Sequence, residues 1–275
     1  AYFILPSPCP LPEGEGDRRS GEGTIKIGPV RSARPYYLDF AAEFNTLYGH
    51  VGSSPAAYDL LQKKGVEGVH DLDQWYKSEY FERVKDKFAP HNVYTSVELL
   101  KKAYEVVLTP SNSPSERGRK AISSPYEGEV GRGPETWQFK NDAPPDLRGD
   151  VADIKVGYVA PYNVQWLYDK FENQYRRVQW DGVHRDAAGK EIVAKNIAVA
   201  FMEMKVLDEI GRKEFTTLGE GQGLVFQDGR VVVGGWKKTS ARQRLRFYDL
   251  QGQEVAFNAG ITWVEIVPTG YGIKY

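Results

Sequence analysis

The sequence predicts an α+β protein: an N-terminal α/β domain followed by a mainly antiparallel β domain. Three observations carry this. Through Val107, helical stripes opened by a proline or a capping residue alternate with short apolar strands. From Asp153 onward the apolar runs shorten and alternate, separated by glycine-rich or polar turns. Between them lies NDAPPDLRGD, residues 141–150, polar and proline-rich as a linker is. The expected division is therefore 1–140 and 151–275.

In chain order, IKIG at 25–28 reads as a strand running into Gly28-Pro29. Pro35 then opens a helix with a stripe at Tyr37, Phe40, Phe44 and Leu47. Leu47 to Val51 reads as a short strand leaving at Gly52. Ser54-Pro55 repeats the N-cap and proline punctuation and starts a second helix that stops near Gly65. Residues 71–88, aromatic and charged, admit a helix but carry no sharp pattern. Thr95-Ser-Val-Glu98 fits a capping box and predicts a third helix through Leu99, Leu100, Ala103, Val106 and Val107. The second half gives strands in IKVGYVA, NVQWLY, IAVAFMEMKVL, GLVFQ, RVVVGGW, RLRFYDL and ITWVEIV. Asp228-Gly229 marks a hairpin, and Gln251-Gly252 a weaker one.

Composition bounds the function. With 41% hydrophobic and 13% aromatic residues in 275, packed cores are affordable to the chain, and 36 Lys plus Arg against 37 Asp plus Glu leave a net charge of -1. No global field draws nucleic acid or an anionic membrane, so any anion site is local and no nucleic-acid partner is expected. The single cysteine, Cys9, excludes an intrachain disulfide and a cysteine-rich metal site. No apolar run approaches the roughly 18 residues that span a bilayer.

Two stretches, 6–23 and 110–133, are dominated by Pro, Ser, Gly, Glu and Arg. Each contains Glu-Gly-Glu-x-x-Arg, at Glu13–Arg18 and Glu127–Arg132. Their composition predicts flexible surface inserts, similar to translated interspersed repeats of bacterial genomes.

The candidate chemistry centres on Arg31 and Arg34, which bracket Ser32 just before Pro35. At a helix start the unpaired N–H groups and the positive dipole end attract an anion, and a guanidinium fork holds a carboxylate or phosphate in two hydrogen bonds. The competing explanation is an ion pair with Asp39 or Glu43. His50, at a strand end before Gly-Ser-Ser-Pro, and Ser54, a helix start, are candidate companions. His91 and Asn92, ahead of the capped helix, complete the ligand-binding set. No catalytic residue is assigned. No histidine pair has metal-ligand spacing, and no P-loop or nucleophile elbow occurs, so neither metal nor cofactor is expected. His70 and His184 read as solvent-facing. Trp166, Trp180, Trp236, Trp263, Tyr158, Tyr168 and Tyr248 read as core of the β domain, with a stacking surface as the other reading. Lys237, Lys238, Arg242, Arg244 and Arg246 read as a solvated edge.

The chain resembles the YerB-like lipoprotein family, whose two domains are of unknown function. The resemblance rests on IGPVRSARPYYLDFAAEFNTLYGHVGSSPAAYDLL (27–61), APHNVYTS (89–96), LGEGQGLVFQDGRVVVGGWKK (218–238) and ITWVEIVP (261–268). It implies an extracytoplasmic bacterial envelope protein tethered by a lipid anchor, with a cell-wall component or another envelope protein as partner. It also implies an export signal, a lipobox cysteine and further N-terminal strands ahead of AYFIL, so the expectation is a missing start or a gene fragment. Two functions compete. The preferred one is a non-enzymatic binding or scaffolding module. The alternative is a phosphotransferase: the order of strand, arginine loop, helix and Gly-Ser-Ser-Pro is loosely similar to the LytR-CpsA-Psr cell-wall transferases, which hold a lipid-linked pyrophosphate with arginines. A decayed, inactive copy is the third reading.

Overall fold

The computed structural model describes residues 26–108, 136–160, 162–180, 182–186 and 188–275. The stretches 6–23 and 110–133, and with them Cys9, lie outside the described residues. The chain divides into two compact units, 1–134 and 135–275.

The first unit contains strands β1 (Lys26–Ile27), β2 (Thr46–His50), β3 (Val69–Asp73), β4 (Glu82–Arg83) and β5 (Val93–Ser96). Its helices are α1 (Pro35–Ala42), α2 (Pro55–Tyr58, prolonged by a π-helical stretch Asp59–Lys64) and α3 (Val97–Leu108). β2 and β3 pair in parallel, from Thr46 opposite Val69 to His50 opposite Asp73. Parallel neighbours need a crossover, and α2 supplies it, ending at Gly65 with a positive φ of 72°. β1, β5 and β4 form a small antiparallel sheet in that order.

α1 does not bury the expected aromatic stripe. Its buried residues are Leu38, Ala41 and Ala42, while Tyr37, Phe40 and Phe44 are half-buried and Leu47 belongs to β2. Small side chains explain the rotation: Ala33, Ala41 and Ala57 are fully buried and pack with Leu38 around Tyr48, so the helix backbones approach closely. A second cluster joins Leu47, Leu72, Tyr80, Leu100 and Ala103. Residues 71–88 are not a helix. Asp73 Oδ1 accepts the N–H groups of Gly52 and Trp75, which fixes a turn where a helix would need those donors elsewhere; a 3₁₀ turn at Ser78–Tyr80 and β4 follow. The cap of α3 also sits one residue later than expected. Ser96 Oγ accepts the Leu99 N–H at 3.2 Å, whereas Thr95 donates to the Tyr80 carbonyl at 2.7 Å.

The second unit runs β6 (Phe139–Lys140), β7 (Asp153–Val156), β8 (Val164–Asp169), β9 (Gln174–Gln179), β10 (Gly182–Val183), β11 (Val193–Ala194), β12 (Asn196–Met202) and β13 (Met204–Val206). It continues through β14 (Lys213–Phe215), β15 (Gly219–Gln227), β16 (Arg230–Lys238), β17 (Arg246–Asp249), β18 (Phe257–Asn258), β19 (Thr262–Pro268) and β20 (Ile273–Lys274). One sheet has the order β10-β9-β8-β7-β20, with β11 also on β9; the other is β17-β16-β15-β12-β19. Pairing within both is antiparallel except for β12 with β19. A single buried cluster takes Ile154, Val156, Val164, Trp166 and Tyr175 from the first sheet and Ile197, Val199, Phe226 and Val267 from the second, so the inner faces form one core. Asp228 and Gly229, with φ of 53° and 64°, make the β15–β16 hairpin turn as the sequence predicts.

The segment 141–150 is not a free linker. β6 pairs with β18, the Ala143 N–H donates to Asp228, and the Gly149 N–H donates to the Asp228 carbonyl, so residues from 139 onward belong to the second unit. Among the aromatics, Trp166 and Trp236 are buried, but Trp180 is exposed at a positive φ of 62°. Lys238 is no part of a solvated edge: it is buried, with its ammonium donating to the carbonyls of Ala241 and Gln243. Nor do His70 and His184 face solvent. Both are half-buried, beside Asn45 and Arg177 respectively.

Candidate anion-binding site

The loop from Val30 to Arg34 is laid against the end of β2. Val51 donates to the Arg31 carbonyl, Ala33 donates to the Gly52 carbonyl, and Ser54 donates back to the Ala33 carbonyl. Ala33 thus bridges Ser53 in parallel register, and the two Pro-initiated helices α1 and α2 start from adjacent points. Ala33 is fully buried, whereas Arg31 is exposed and Ser32 and Arg34 are half-buried at this junction.

The two helix starts differ chemically. Ser54 caps α2 by accepting the Ala57 N–H at 3.3 Å. The corresponding residue of α1 is Arg34, which offers no side-chain acceptor, and the first turn of α1 contains no acidic residue. A cation at the positive end of a helix dipole is unfavourable by roughly 0.3–1 kcal/mol, and it forfeits the cap that Ser, Thr, Asp or Asn would supply. The Arg34 guanidinium folds back to donate to Ser32 Oγ at 2.7 Å and to the Ala33 carbonyl at 2.9 Å. Arg31, exposed, donates to the His91 ring, 2.7 Å from Nδ1, which requires that nitrogen to be unprotonated. Among the described residues no carboxylate lies within ion-pair distance of either arginine, so the pairing with Asp39 or Glu43 weighed above does not form.

Tyrosines flank Arg34. Burial and the neighbouring Tyr37 push the Tyr36 phenol up to about 12 against the lowering effect of Arg34. Burial likewise raises Tyr48, which keeps a hydrogen bond with the Arg34 backbone. Both rings stay neutral and leave the arginine charge uncompensated.

The remaining predicted residues are placed differently. His50 does not line a cleft: it is 1% exposed, with Nδ1 2.8 Å from the Gly52 carbonyl and Nε2 2.5 Å from Asp71 Oδ1. Both ring nitrogens face acceptors, an arrangement that favours the imidazolium form. Burial opposes that charge, but Asp71, the Gly52 carbonyl and Asp73 outweigh it and raise the His50 pKa above its ordinary value. His50 therefore ties β2 to β3. Asn92 accepts from Arg83 at 3.1 Å, and Arg83 also holds Gln74. The structure brings Arg31 to His91 and Arg34 to Ser32, while His50, Ser54 and Asn92 are committed to internal partners. Sequence reasoning missed Ser32 as the hydroxyl that positions Arg34, and missed Asp71 and Asp73, whose spacing on one strand was the available signal.

Two family models match the chain: "Protein of unknown function (DUF3048) N-terminal domain" over residues 21–107, and its C-terminal domain over residues 154–264. The chain belongs to the DUF3048 family. A Bacillus subtilis (strain 168) protein described as "Putative lipoprotein YerB" is 29% identical over 247 residues, spanning 88% of this chain and 67% of its own length. The crystal structure of the B. subtilis YerB protein matches with a TM-score of 0.70 at 26% identity, covering 91% of this chain and 78% of that one. The family expected from the arginine-rich and His-Asn stretches is thus the family found, and the N-terminal DUF3048 match contains every residue of the candidate site.

Proposed function

We propose that this DUF3048 protein is an extracytoplasmic, lipid-tethered envelope component that binds an anionic group of a cell-wall constituent or partner protein at the start of α1. The observation that carries this is the helix start itself. Arg34 stands at the N-cap, Arg31 lies three residues earlier, and both donate only to neutral groups. A phosphate or carboxylate arriving there would gain two guanidinium forks and the helix dipole, at a place where the unliganded protein bears a local electrostatic cost. The relative's name supports the tether, since it is described as a lipoprotein. No helix of the described residues is long and apolar enough to cross a membrane.

The test is calorimetric titration of inorganic pyrophosphate and of undecaprenyl-pyrophosphate analogues into the parent protein, Arg31→Ala and Arg34→Ala. Each loss of a charge-assisted fork is expected to weaken binding by about tenfold or more, and added salt should weaken the parent's binding as well. Equal affinity in all three proteins would remove the site. Release of lipid from the pyrophosphate analogue during the titration would instead move the reading to the phosphotransferase.

A further inference from the structure

We propose that the first unit also carries a stacking site for a neutral sugar ring, at a cavity of about 420 Å3 lined by Gly52, Ser53, Pro55, Tyr58, Asp59, Asp73, Trp75 and Tyr76. It uses none of Arg31, Arg34, His50, Ser54, His91 or Asn92, and it does not rest on the anion reading.

Aromatic exposure is the first observation. Trp75 and Tyr76 are each 68% exposed and Tyr58 is 43% exposed, although all three line one cavity. Folding gains little from leaving an indole and two phenols in water, so their grouping calls for a ligand with apolar faces. The rings are presented by a fixed backbone. Gln74 donates to the His50 carbonyl, Trp75 to Asp73 Oδ1, and Tyr76 and Lys77 to the Asp73 carbonyl. The indole edge lies against Gly52, where an added Cβ would stand 3.1 Å from Nε1, and Gly52 has a positive φ of 61°. A side chain at that position would crowd the indole, so glycine lets Trp75 keep its place beside the cavity. Aromatic groups held still before binding lose less entropy when a ligand arrives.

Charge decides among ligands with apolar faces. None of the lining residues is basic, so the cavity is not a second anion site. A cationic guest would need uncompensated carboxylate charge, yet Asp73 lies 4.0 Å from the His50 ring nitrogen and Asp59 is paired with Lys63 at 2.7 Å. What remains is a near-neutral pocket with aromatic faces for C–H groups and, at its rim, a serine hydroxyl and carboxylate lone pairs for hydroxyl donors. That combination suits a pyranose, which has an apolar face and a polar perimeter.

Cellotetraose and chitotetraose serve as neutral probes and tetramethylammonium as the cationic one, each titrated to about 10 mM against the full chain and followed by tryptophan fluorescence and calorimetry. At least one oligosaccharide should bind, with about tenfold weaker binding in Trp75→Ala and near-parent binding in Trp75→Phe, because the ring face and not the indole N–H makes the contact. Thermal unfolding of Trp75→Ala should match the parent, and Arg31→Ala should bind sugar normally, which separates this site from the anion site. Absence of oligosaccharide binding, equal affinity in Trp75→Ala, or binding of tetramethylammonium alone would overturn the proposal.

Discussion

The hairpin turn of the second unit and the α1 start of the first handle charge in opposite ways. In the second, Asp228 sits at the hairpin turn and gathers Lys140 at 2.5 Å, Asn173 at 2.8 Å, Asn258 at 2.7 Å and the Ala143 N–H at 3.1 Å. Arg177 lies over the rings of Trp166 and Trp263 beside the buried Glu265. In the first, Arg31 and Arg34 stand at a helix start with only neutral acceptors, and a rigid turn displays Trp75 and Tyr76 to solvent. At the hairpin turn, charge used for structure is surrounded by its partners. Charge left with neutral neighbours, at a position where it costs stability, is the feature on which the proposed anion site rests.

The strongest way to break this contrast is at Asp228. Asp228→Ala leaves Lys140, Asn173 and Asn258 facing a void and should cost about 3–5 kcal/mol in denaturant unfolding of the second unit. Asp228→Asn should cost less, because asparagine tolerates the positive φ and keeps part of the network. In the first unit the comparable loss is apolar: Leu38→Ala, at a fully buried position between α1 and Tyr48, should cost about 2–4 kcal/mol.

Acid and base should act on different units. Burial alone would raise Asp228, but Lys140, Asn173, Ala143 and Asn258 hold it at about 2, below the ordinary 3.8. Its contribution is present above the ordinary value and lost as pH falls through that interval, so the second unit should weaken between about pH 4 and pH 2. His50 has the opposite sign. Its pKa is raised above 6.5, so its contribution is complete below 6.5 and is lost as pH rises through the folded value. Amide protection of β2 and β3, corrected for the intrinsic exchange rate, should fall on that rise, and that of β15 and β16 on acidification; the reverse assignment would contradict the partner lists above.

A smaller effect sharpens the comparison of the helix starts. Ser54→Ala removes the α2 cap and should cost about 1 kcal/mol, whereas Arg34→Ser, which supplies a cap to α1 and removes a cation, should stabilise by a few tenths to about 1 kcal/mol in the absence of ligand. A destabilised Arg34→Ser would mean that Arg34 is structural.

What was legible in the sequence follows the range of the forces involved. The helix starts at Pro35 and Pro55, the Asp228-Gly229 hairpin and the period-2 runs of the second half are local patterns and stand where expected, and the strand expected at 47–51 lies at 46–50. β9 was invisible because its inward positions are Tyr175 and Arg177, and an arginine clasped by two tryptophans breaks the apolar alternation. The binding of 141–150 to the second unit depends on Lys140 meeting Asn258, 118 residues away. At the candidate site, Arg31 and Arg34 could be read from their place before a helix. The burial of His50 could not, since it follows from Asp71 and Asp73 on a parallel neighbour. Trp75 and Tyr76 were passed over because residues 71–88 carry no clean periodicity and the turn that displays them is made by one aspartate side chain.

The most direct measurement is a titration of inorganic pyrophosphate into the 15N-labelled protein. The account predicts that the backbone amides of Ala33, Arg34, Tyr36 and Tyr37 and the side-chain signals of Arg31 and Arg34 shift together and saturably, and that Arg31→Ala with Arg34→Ala abolishes the effect. Amides of the α1 start that stay unmoved while signals elsewhere shift, or shifts that persist in the double variant, would contradict it.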